Sequence, residues 1–302
     1  MTRRTTLLAI AALLVGCLSS LPASGAERAS RLVRITMGDG VSLRAQVSAV
    51  GEIRKRPTIV EFTPYAYTGA SYTPPAAYNR VVVEIRGTGD SEGRFDALGP
   101  RTQRDVVQAL RWICKRPWSN GKLGLAGFSA SAIAIYNSMH QRLPCVRAMM
   151  LKSGTYELYR DLLVPGGVSN LLPGAGVVGL IGAPTTQMLP DRLQRDPSSL
   201  IDAYGGLLAS AVEGGFAHPE LDAWWRKRGF RGDANKLPVL MINGFFDVES
   251  RGAFQAFQRL RGAGARLRMV GGHDGVPKGS DGGQAITAHW FDRHLRGIRN
   301  GG

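Results

Sequence analysis

A serine within a short run of small residues is the feature of this sequence best suited to chemistry. Residues 122–134 indicate an apolar strand, a sharp turn with Ser129 at its tip, and a helix that begins with small residues. Gly127, Ala130 and Ser131 leave room for the strained backbone of such a turn, although Ser131 replaces the last glycine of G-x-S-x-G. The N-terminus of the next helix would favour a developing oxyanion. We interpret the segment as a nucleophile elbow, and an ordinary strand-turn-helix is the alternative.

A nucleophilic serine needs a base, and the base needs a carboxylate that orients it. Of the five histidines, only His273 follows a predicted strand (266–270) within a glycine-rich loop. Parallel α/β sheets place their sites in such loops. The others lie on predicted helices or in an irregular region: His140, His218, His289 and His294. His273 is therefore the predicted base, and an ordinary surface loop histidine is the alternative.

The acid is expected between the serine and the histidine in the chain. Asp247 directly follows a predicted strand over 238–243. It could also cap the helix predicted to begin near Glu249, and the two roles are compatible. Glu249 is the second choice, whereas Asp274 is too close to His273 in the sequence.

An acyl-transfer site also needs donors for the oxyanion. The backbone N–H of Ala130 is one candidate because it follows the serine directly. Tyr65 is the second, because it follows a predicted strand over 57–62 and Pro64 restricts its loop. A tyrosine that only packs is the alternative interpretation.

Strands alternate with helices along most of the sequence. Apolar runs predict strands over 79–85, 122–126 and 238–243, and the helical spacing of residues that include Val106, Leu110 and Ile113 predicts a helix over 101–116. Short helical pieces are also predicted near 201–211 and 220–228. This order predicts an α/β fold of the α/β-hydrolase type, with a mainly parallel sheet flanked by helices. The pattern breaks where residues 155–236 become glycine- and proline-rich, which we interpret as a short inserted cap. Residues 27–154 and 237–302 are then the two parts of the hydrolase core.

A second glycine-rich segment, residues 86–93 (RGTGDSEG), suggests a phosphate loop at first sight. It does not match G-x-G-x-x-G, and no acidic partner on a second βαβ unit follows it. We interpret it as a tight structural loop in which Arg86 pairs with a carboxylate. The sequence suggests no metal-binding cluster, so we predict that the protein requires no cofactor and no metal.

The first 26 residues have the features of a signal peptide, with two arginines followed by a short apolar run. Small residues at 23–26 resemble an ordinary cleavage site, and residues 14–17 resemble a bacterial lipobox ending in Cys17. We favour simple cleavage, which predicts a secreted or periplasmic protein. A lipid anchor on Cys17 is the alternative.

The remaining cysteines, Cys114 and Cys145, could form a disulfide in an oxidising compartment or stay as buried thiols. The formal charge of +15 favours anionic surfaces or acidic substrates. Lysine and arginine are scattered, without a basic stripe interleaved with aromatic residues, so we predict no nucleic-acid partner. Association with an anionic envelope surface explains the charge equally well.

Several short motifs, each present once, are spread through most of the sequence. They are Met37–Leu43 (MGDGVSL), Thr63–Tyr65 (TPY), Arg86–Gly93, Pro117–Gly124 (PWSNGKLG), Tyr159–Asp161 (YRD), Pro165–Gly167 (PGG) and Phe291–Arg293 (FDR). Together they resemble the X-Pro dipeptidyl-peptidase / cocaine esterase (CocE/NonD) family of α/β-hydrolases. The resemblance implies the same catalytic set: Ser129 as nucleophile, Asp247 as acid, His273 as base, and Tyr65 with the Ala130 N–H as oxyanion hole.

The sequence departs from this family in three respects. Ala130 and Ser131 stand where the family usually has tyrosine and glycine, and the predicted cap is short. We also expect the family's C-terminal jelly-roll domain to be missing, because the sequence ends just after a helix predicted over 284–296. Family peptidases use extra domains to bind the substrate amine, so these departures argue against dipeptidyl-peptidase activity.

We therefore predict an exported serine hydrolase that cleaves ester or amide bonds through an acyl-enzyme on Ser129. Its substrate would be a small ester, amide or peptide. An X-Pro dipeptidyl-peptidase-type exopeptidase with a reduced cap is the first alternative. A non-catalytic binding protein on the same scaffold is the second, and a buried or blocked Ser129 would favour it.

Overall fold

The computed structural model describes residues 28–65, 75–170, 179, 181–183, 185–195, 197–212, 217–273 and 283–300. The predicted signal peptide, with Cys17, lies outside the described residues, as does Asp274. None of the helices in the described ranges combines the length and the apolar character that crossing a bilayer requires.

One eight-stranded sheet, in the order β1-β2-β4-β3-β5-β6-β7-β8, organises the described chain. The strands are β1 (Arg28–Thr36), β2 (Ser42–Val50), β3 (Arg56–Thr63), β4 (Asn79–Glu84), β5 (Ser119–Phe128), β6 (Val146–Lys152), β7 (Val239–Gly244) and β8 (Arg266–Val270). The β1–β2 and β2–β4 pairs are antiparallel, and the pairs from β4 through β8 are parallel. The predicted mainly parallel sheet is thus confirmed.

Burial along the strands follows from what covers each face. β2 alternates between buried and half-buried side chains, as expected when one face packs on the core. All six residues of β7 are buried, and so is nearly all of β3. Such continuous burial is typical of parallel strands covered by helices on both faces.

The helices are α1 (Pro100–Cys114), α2 (Ala130–Ser138), α3 (Leu189–Arg195), α4 (Ser199–Val212), α5 (Ala223–Arg226), α6 (Ser250–Leu260) and α7 (Gln284–Phe291). π-helical turns lie at Tyr159–Leu163 and Asp292–Arg296, and 3₁₀ turns at Pro165–Gly167 and Arg261–Ala263. α1 buries one apolar face that includes Val106, Leu110 and Ile113. All nine residues of α2 are buried, so this helix is fixed within the core.

The cap region differs from the core in its elements. Between β6 and β7 the described residues form helices and turns, with one isolated bridge between Glu157 and Gly229. The helix predicted near residues 220–228 is shorter than expected, because α5 begins after its N-cap Asp222 and has only four residues. The division into core and cap at 155–236 stays a prediction.

The glycine-rich loop after β4 is held by a buried ion pair, as the structural interpretation expects. Arg86 Nε lies 2.7 Å from Asp105 Oδ2, and Arg86 Nη2 lies 2.8 Å from Asp105 Oδ1. Asp39 adds a second carboxylate at 3.0 Å from Arg86 Nη1. This two-pronged pairing joins the loop to α1 and to the N-terminal hairpin, so the loop's glycines serve the fold.

Cys114 and Cys145 form a disulfide, which decides between the two alternatives left open by the sequence. Their Cα atoms are 6.2 Å apart, within the usual range for such a bond. Cys114 ends α1 and Cys145 precedes β6, so the bond ties the end of α1 to the start of β6. The Cys145 carbonyl also accepts the Leu123 N–H at 3.0 Å.

Loss of this disulfide is expected to destabilise the protein. The bond closes a loop with a sequence separation of 31 residues, and a loop of this length contributes roughly 3–4 kcal/mol to the free energy of unfolding. Thermal unfolding with and without dithiothreitol measures the effect. The double variant Cys114→Ser/Cys145→Ser is the control, because its melting temperature should be low and indifferent to reductant. A wild-type protein with demonstrably reduced thiols and an unchanged melting temperature would contradict this expectation.

Candidate active site

Ser129 occupies a strained turn between β5 and α2. Its backbone has φ 52° and ψ −125°, a conformation that residues other than glycine rarely adopt. The turn is held from both sides. Its N–H donates to the Lys152 carbonyl at 3.0 Å, and its carbonyl accepts the N–H groups of Ala132 and Ile133 at 2.8 and 3.0 Å. The side chain is thereby fixed at the tip of the turn, where it is partly exposed.

The need for small residues falls on particular positions around this turn. A Cβ on Gly127 would lie 2.6 Å from the backbone nitrogen of Ala132, and one on Gly154 would lie 2.6 Å from the Ala132 Cβ. Both glycines therefore let α2 approach the sheet closely. Ser131 stands where the sequence pattern has its last glycine, and its side chain is fully buried. The turn thus tolerates a serine there, but it requires glycine at 127.

Two hydrogen-bond donors lie beside Ser129. The Tyr65 hydroxyl donates to Ser129 Oγ at 3.3 Å, and the Ala130 N–H donates to the Tyr65 hydroxyl oxygen at 3.3 Å. The Tyr65 N–H is anchored on Thr63 Oγ1 at the end of β3. Burial raises the pKa of Tyr65 above its usual value, so the phenol keeps its proton and remains a donor.

Asp247 and His273 form a second pair. His273 Nδ1 lies 3.0 Å from Asp247 Oδ1, and the side chains are 47% and 1% exposed, respectively. Burial alone would raise the pKa of Asp247. The hydrogen bonds from His273 and from the Glu249 N–H outweigh burial, and the pKa stays below its usual value. The anionic carboxylate favours the proton on Nδ1, which puts the imidazole lone pair on Nε2.

Backbone hydrogen bonds align the loops that carry this pair. The N–H groups of Phe245 and Phe246 donate to the carbonyls of Val270 and Gly271 at 2.8 and 3.1 Å. A Cβ on Gly244 would lie 2.4 Å from the Gly272 carbonyl oxygen. The pairing of β7 with β8 thus continues past the strand ends. This continuation brings the loop that carries Asp247 against the loop that carries His273.

An aromatic contact joins the two pairs into one site. The rings of Phe128 and His273 meet edge to face, with their centroids 5.1 Å apart. Phe128 directly precedes Ser129, so the imidazole lies beside the elbow. Sequence reasoning missed this residue, and its adjacency to the serine was the only available signal.

Glu249, the second choice for the acid, also lies at the site. One carboxylate oxygen of Asp247, one of Glu249 and one ring nitrogen of His273 lie within 4.8 Å of one another. The His273 Nδ1 contact goes to Asp247, which favours Asp247 as the acid. We interpret the group as an acid–base pair with an additional carboxyl, because an Nδ1 held by Asp247 is not presented to a cation.

The other histidines have different surroundings. His140 Nδ1 bonds to the Asn137 carbonyl, and His218 bonds to Asp222 and stacks on Trp224. His294 packs against Trp290, and His289 lies on α7. None of these contacts, all among the described residues, reaches Ser129, whereas His273 packs against Phe128, the residue that precedes the serine. The catalytic roles of the five predicted site residues remain predictions.

The fold and this arrangement define the class of the protein as an α/β-hydrolase. The sequence profile of the X-Pro dipeptidyl-peptidase (S15) family matches residues 39–274. The chain belongs to this family, and the resemblance inferred from its motifs is confirmed.

The individual relatives share low sequence identity with this chain. Cocaine esterase from Rhodococcus sp. (strain MB1 Bresler) is 22% identical over 259 residues, covering 73% of this chain and 45% of the relative. A CocE/NonD family hydrolase from Staphylococcus aureus has a TM-score of 0.72 at 19% identity, covering 90% of this chain and 51% of that one. An aminopeptidase from a marine sediment Thaumarchaeota archaeon has a TM-score of 0.71 at 16% identity, covering 93% and 57%. The structural likenesses show the fold, and the chain spans about half the length of these relatives.

Proposed function

We propose that the protein is a serine hydrolase that cleaves ester or amide bonds through an acyl-enzyme on Ser129. The observation that carries the proposal is the arrangement of donors and base. The Tyr65 hydroxyl lies at the serine oxygen, the Ala130 N–H donates to that hydroxyl, and Asp247 Oδ1 contacts Nδ1 of the His273 imidazole. Membership of the X-Pro dipeptidyl-peptidase family supports the same chemistry.

Each group then has a defined role. Ser129 Oγ attacks the substrate carbonyl carbon while His273 Nε2 takes its proton, and Asp247 stabilises the imidazolium that forms. The carbonyl oxygen becomes an oxyanion that accepts hydrogen bonds from Tyr65 and the Ala130 N–H. The imidazolium then protonates the leaving alcohol or amine. Water, activated by the same base, hydrolyses the acyl-enzyme and returns the proton to Ser129.

Two alternatives differ in what they require. An X-Pro exopeptidase must hold the charged N-terminus of a peptide in addition to performing acyl transfer, whereas an activated ester needs only the groups described above. The family name and the archaeal aminopeptidase support the exopeptidase as second candidate. A non-catalytic binding protein receives less support, because Ser129 is partly exposed.

Replacement of Ser129 by alanine should abolish both covalent labelling and turnover. Wild type should react with a fluorophosphonate probe and hydrolyse nitrophenyl esters, because both reactions use the same activated oxygen. Esters of increasing acyl length, assayed beside an X-Pro anilide, would rank the two candidate activities. Folded wild type that takes up no probe would contradict the hydrolase proposal. Efficient cleavage of the anilide, lost when its N-terminus is blocked, would favour the exopeptidase.

Replacement of Tyr65 by phenylalanine should slow ester hydrolysis by roughly 10²–10³-fold, the usual effect of removing one oxyanion donor. The loss should fall on kcat, with a smaller change in KM, because the donor acts mainly on the transition state. Tyr156→Phe is a matched control, since the Tyr156 hydroxyl bonds to Gln255 away from the serine. An unchanged rate in Tyr65→Phe would remove Tyr65 from the oxyanion hole.

We further propose that residues 155–236 act as a cap that shapes substrate access. The support comes from described contacts to the loop that follows β4. Thr185 Oγ1 accepts the Gly89 N–H at 3.0 Å, and Arg192 donates to the Gly89 carbonyl at 3.1 Å. Arg94 donates to the Gly205 carbonyl at 3.3 Å. These bonds seat the region on the core, while the specificity it would confer stays a proposal.

Export is a proposal that the disulfide supports. Disulfides persist mainly in oxidising compartments, and Cys114 is bonded to Cys145. Together with the signal-like features of residues 1–26, this favours a secreted or periplasmic protein. Attachment through a lipid on Cys17 is the alternative. Mass spectrometry of the N-terminus of the cell-derived protein distinguishes a cleaved leader, a lipidated cysteine and an intact chain.

We also propose that the protein associates with an anionic envelope surface. The support is a cavity of about 480 Å³ at the end of the sheet where the parallel strands begin. Its lining includes Arg31, Arg54, Lys55 and Arg116, without a carboxylate, beside the Trp112 ring. Uncompensated cations on a low-dielectric wall attract anions and bind them more weakly as salt rises.

Binding to phosphatidylglycerol-containing vesicles should therefore be strong in low salt and fall steeply by about 0.5 M salt. Arg54→Glu/Lys55→Glu should weaken it at least tenfold. Arg259→Glu/Arg261→Glu is the control, because it makes the same charge change near the opposite edge of the sheet. Equal losses in both double variants would assign binding to net charge and contradict a role for the cavity. Equal binding to neutral vesicles would contradict anion recognition.

A further inference from the structure

A second buried carboxyl lies at the catalytic pair, and the mechanism above does not use it. Glu249 is 1% exposed and forms the N-cap of α6. Its Oε2 has no hydrogen-bond partner among the described residues, and the same is true of Asp247 Oδ2. A buried acceptor without a donor is unfavourable, and one proton shared between these two carboxyls would satisfy both.

The surroundings of Glu249 disfavour its charged form. Burial raises its pKa well above the usual value, and the nearby carboxylates of Asp247 and Asp161 raise it further. Asp161 is compensated by an ion pair with Arg251, and Asp247 by His273. Glu249 has no comparable cation among the contacts of the described residues.

Apart from these carboxylates and His273, the titratable groups that face Glu249 among the described residues are phenols. Glu249 interacts electrostatically with Tyr136 on α2 and with Tyr65 after β3, and burial raises the pKa of both. Neither phenol supplies a positive charge. The Ser153 hydroxyl at the end of β6 is a competing donor, because it helps to lower the pKa of Asp247. Within the described part of the chain, its Oγ nevertheless has no hydrogen-bond partner.

We propose that Glu249 is a neutral carboxylic acid that donates its proton to Asp247 Oδ2, directly or through one water. One carboxylate oxygen from each of the two residues and one ring nitrogen of His273 lie within 4.8 Å of one another, a separation that a direct hydrogen bond or one bridging water can span. The two carboxyls then share a single negative charge. Glu249 is thereby a positioning residue, because it fixes one oxygen of Asp247 so that the other faces His273. The inference rests on the proposed hydrolase function.

The first test compares two substitutions of similar size at this position. Glu249→Gln keeps a donor, so its kcat on a nitrophenyl ester should stay within about threefold of wild type. Glu249→Leu removes the donor, so its kcat should fall about 10- to 100-fold with little change in KM, as expected for the loss of a hydrogen bond to a charged group. A leucine variant with wild-type kcat would overturn the proposal.

The pH profile of kcat/KM separates a neutral Glu249 from an anionic one. The acid limb reports protonation of the base, and an anion at residue 249 would stabilise the protonated imidazole. With a neutral Glu249, the limb of Glu249→Gln should coincide with that of wild type. A limb displaced by about one pH unit to lower pH would overturn the proposal. A loss of about 10⁴-fold in Glu249→Gln would instead make Glu249 the triad acid and overturn it as well.

Stability provides a test that is independent of turnover. A folded pKa above the unfolded value of about 4.3 means that the contribution of Glu249 is fully present below that pH. It is then lost as pH rises toward the folded pKa, because the unfolded chain releases the proton first. The melting temperature of wild type should therefore fall relative to that of Glu249→Gln as the pH rises above about 4.5. The opposite trend would indicate an anionic Glu249 in the fold.

Three further variants make the outcome specific. Glu84, at the end of β4, is a fully buried carboxyl that accepts hydrogen bonds from Arg44 on β2 and from the Asp90 N–H, and burial raises its pKa to about 6. Glu84→Gln should change stability without the kcat loss of Glu249→Leu. Ser153→Ala should retain kcat, and a loss there with none in Glu249→Leu would transfer the donor role to Ser153. Wild-type turnover that persists in Ser129→Ala would defeat the hydrolase proposal, while the melting-temperature comparison would still decide the protonation of Glu249.

Discussion

The close packing of α2 against β5 is the constraint on which the site depends. All of α2 is buried, and the absence of a Cβ at Gly127 lets its first turn approach the strand. The chain can pass from strand to helix only through the positive φ of Ser129. That strain is stable because the surrounding hydrogen bonds and the buried helix over-determine it. The same geometry directs the Ser129 side chain toward the C-terminal ends of the parallel strands, where the loops that carry Asp247 and His273 lie.

The buried carboxylates around the Ser129 turn differ in the kind of cation that balances each of them. Asp105 is neutralised by Arg86 in the loop after β4, and Asp161 is neutralised by Arg251 on α6. Among the described residues, the ionic partner of Asp247 is the half-exposed His273. A carboxylate buried with one titratable partner holds the imidazole in one orientation and stabilises its protonated form. The fold thus pairs the negative charge that acyl transfer would use with a titratable imidazole and not with a permanent cation.

The fold class and most elements could be predicted from the sequence because their signals are local. Continuous apolar runs indicated β4, β5 and β7, and the helical spacing of Val106, Leu110 and Ile113 indicated α1. The Arg86 ion pair was also anticipated, because a charged side chain in a buried glycine-rich loop needs a partner. The length of α5, which has four residues, was overestimated, because the apolar spacing there is too short to define the helix ends.

The sequence by itself determined the turn at Ser129, the order of strands and helices, and the short set of candidate acids and bases. These depend on backbone sterics and on periodicity, which act over a few residues. Only the tertiary structure decided that Cys114 pairs with Cys145, that His273 contacts Asp247, and that Phe128 packs on that imidazole. Such contacts join residues far apart in the chain. Strand register and the lengths of loops beyond the sheet edge set their distances, and no local pattern encodes either quantity.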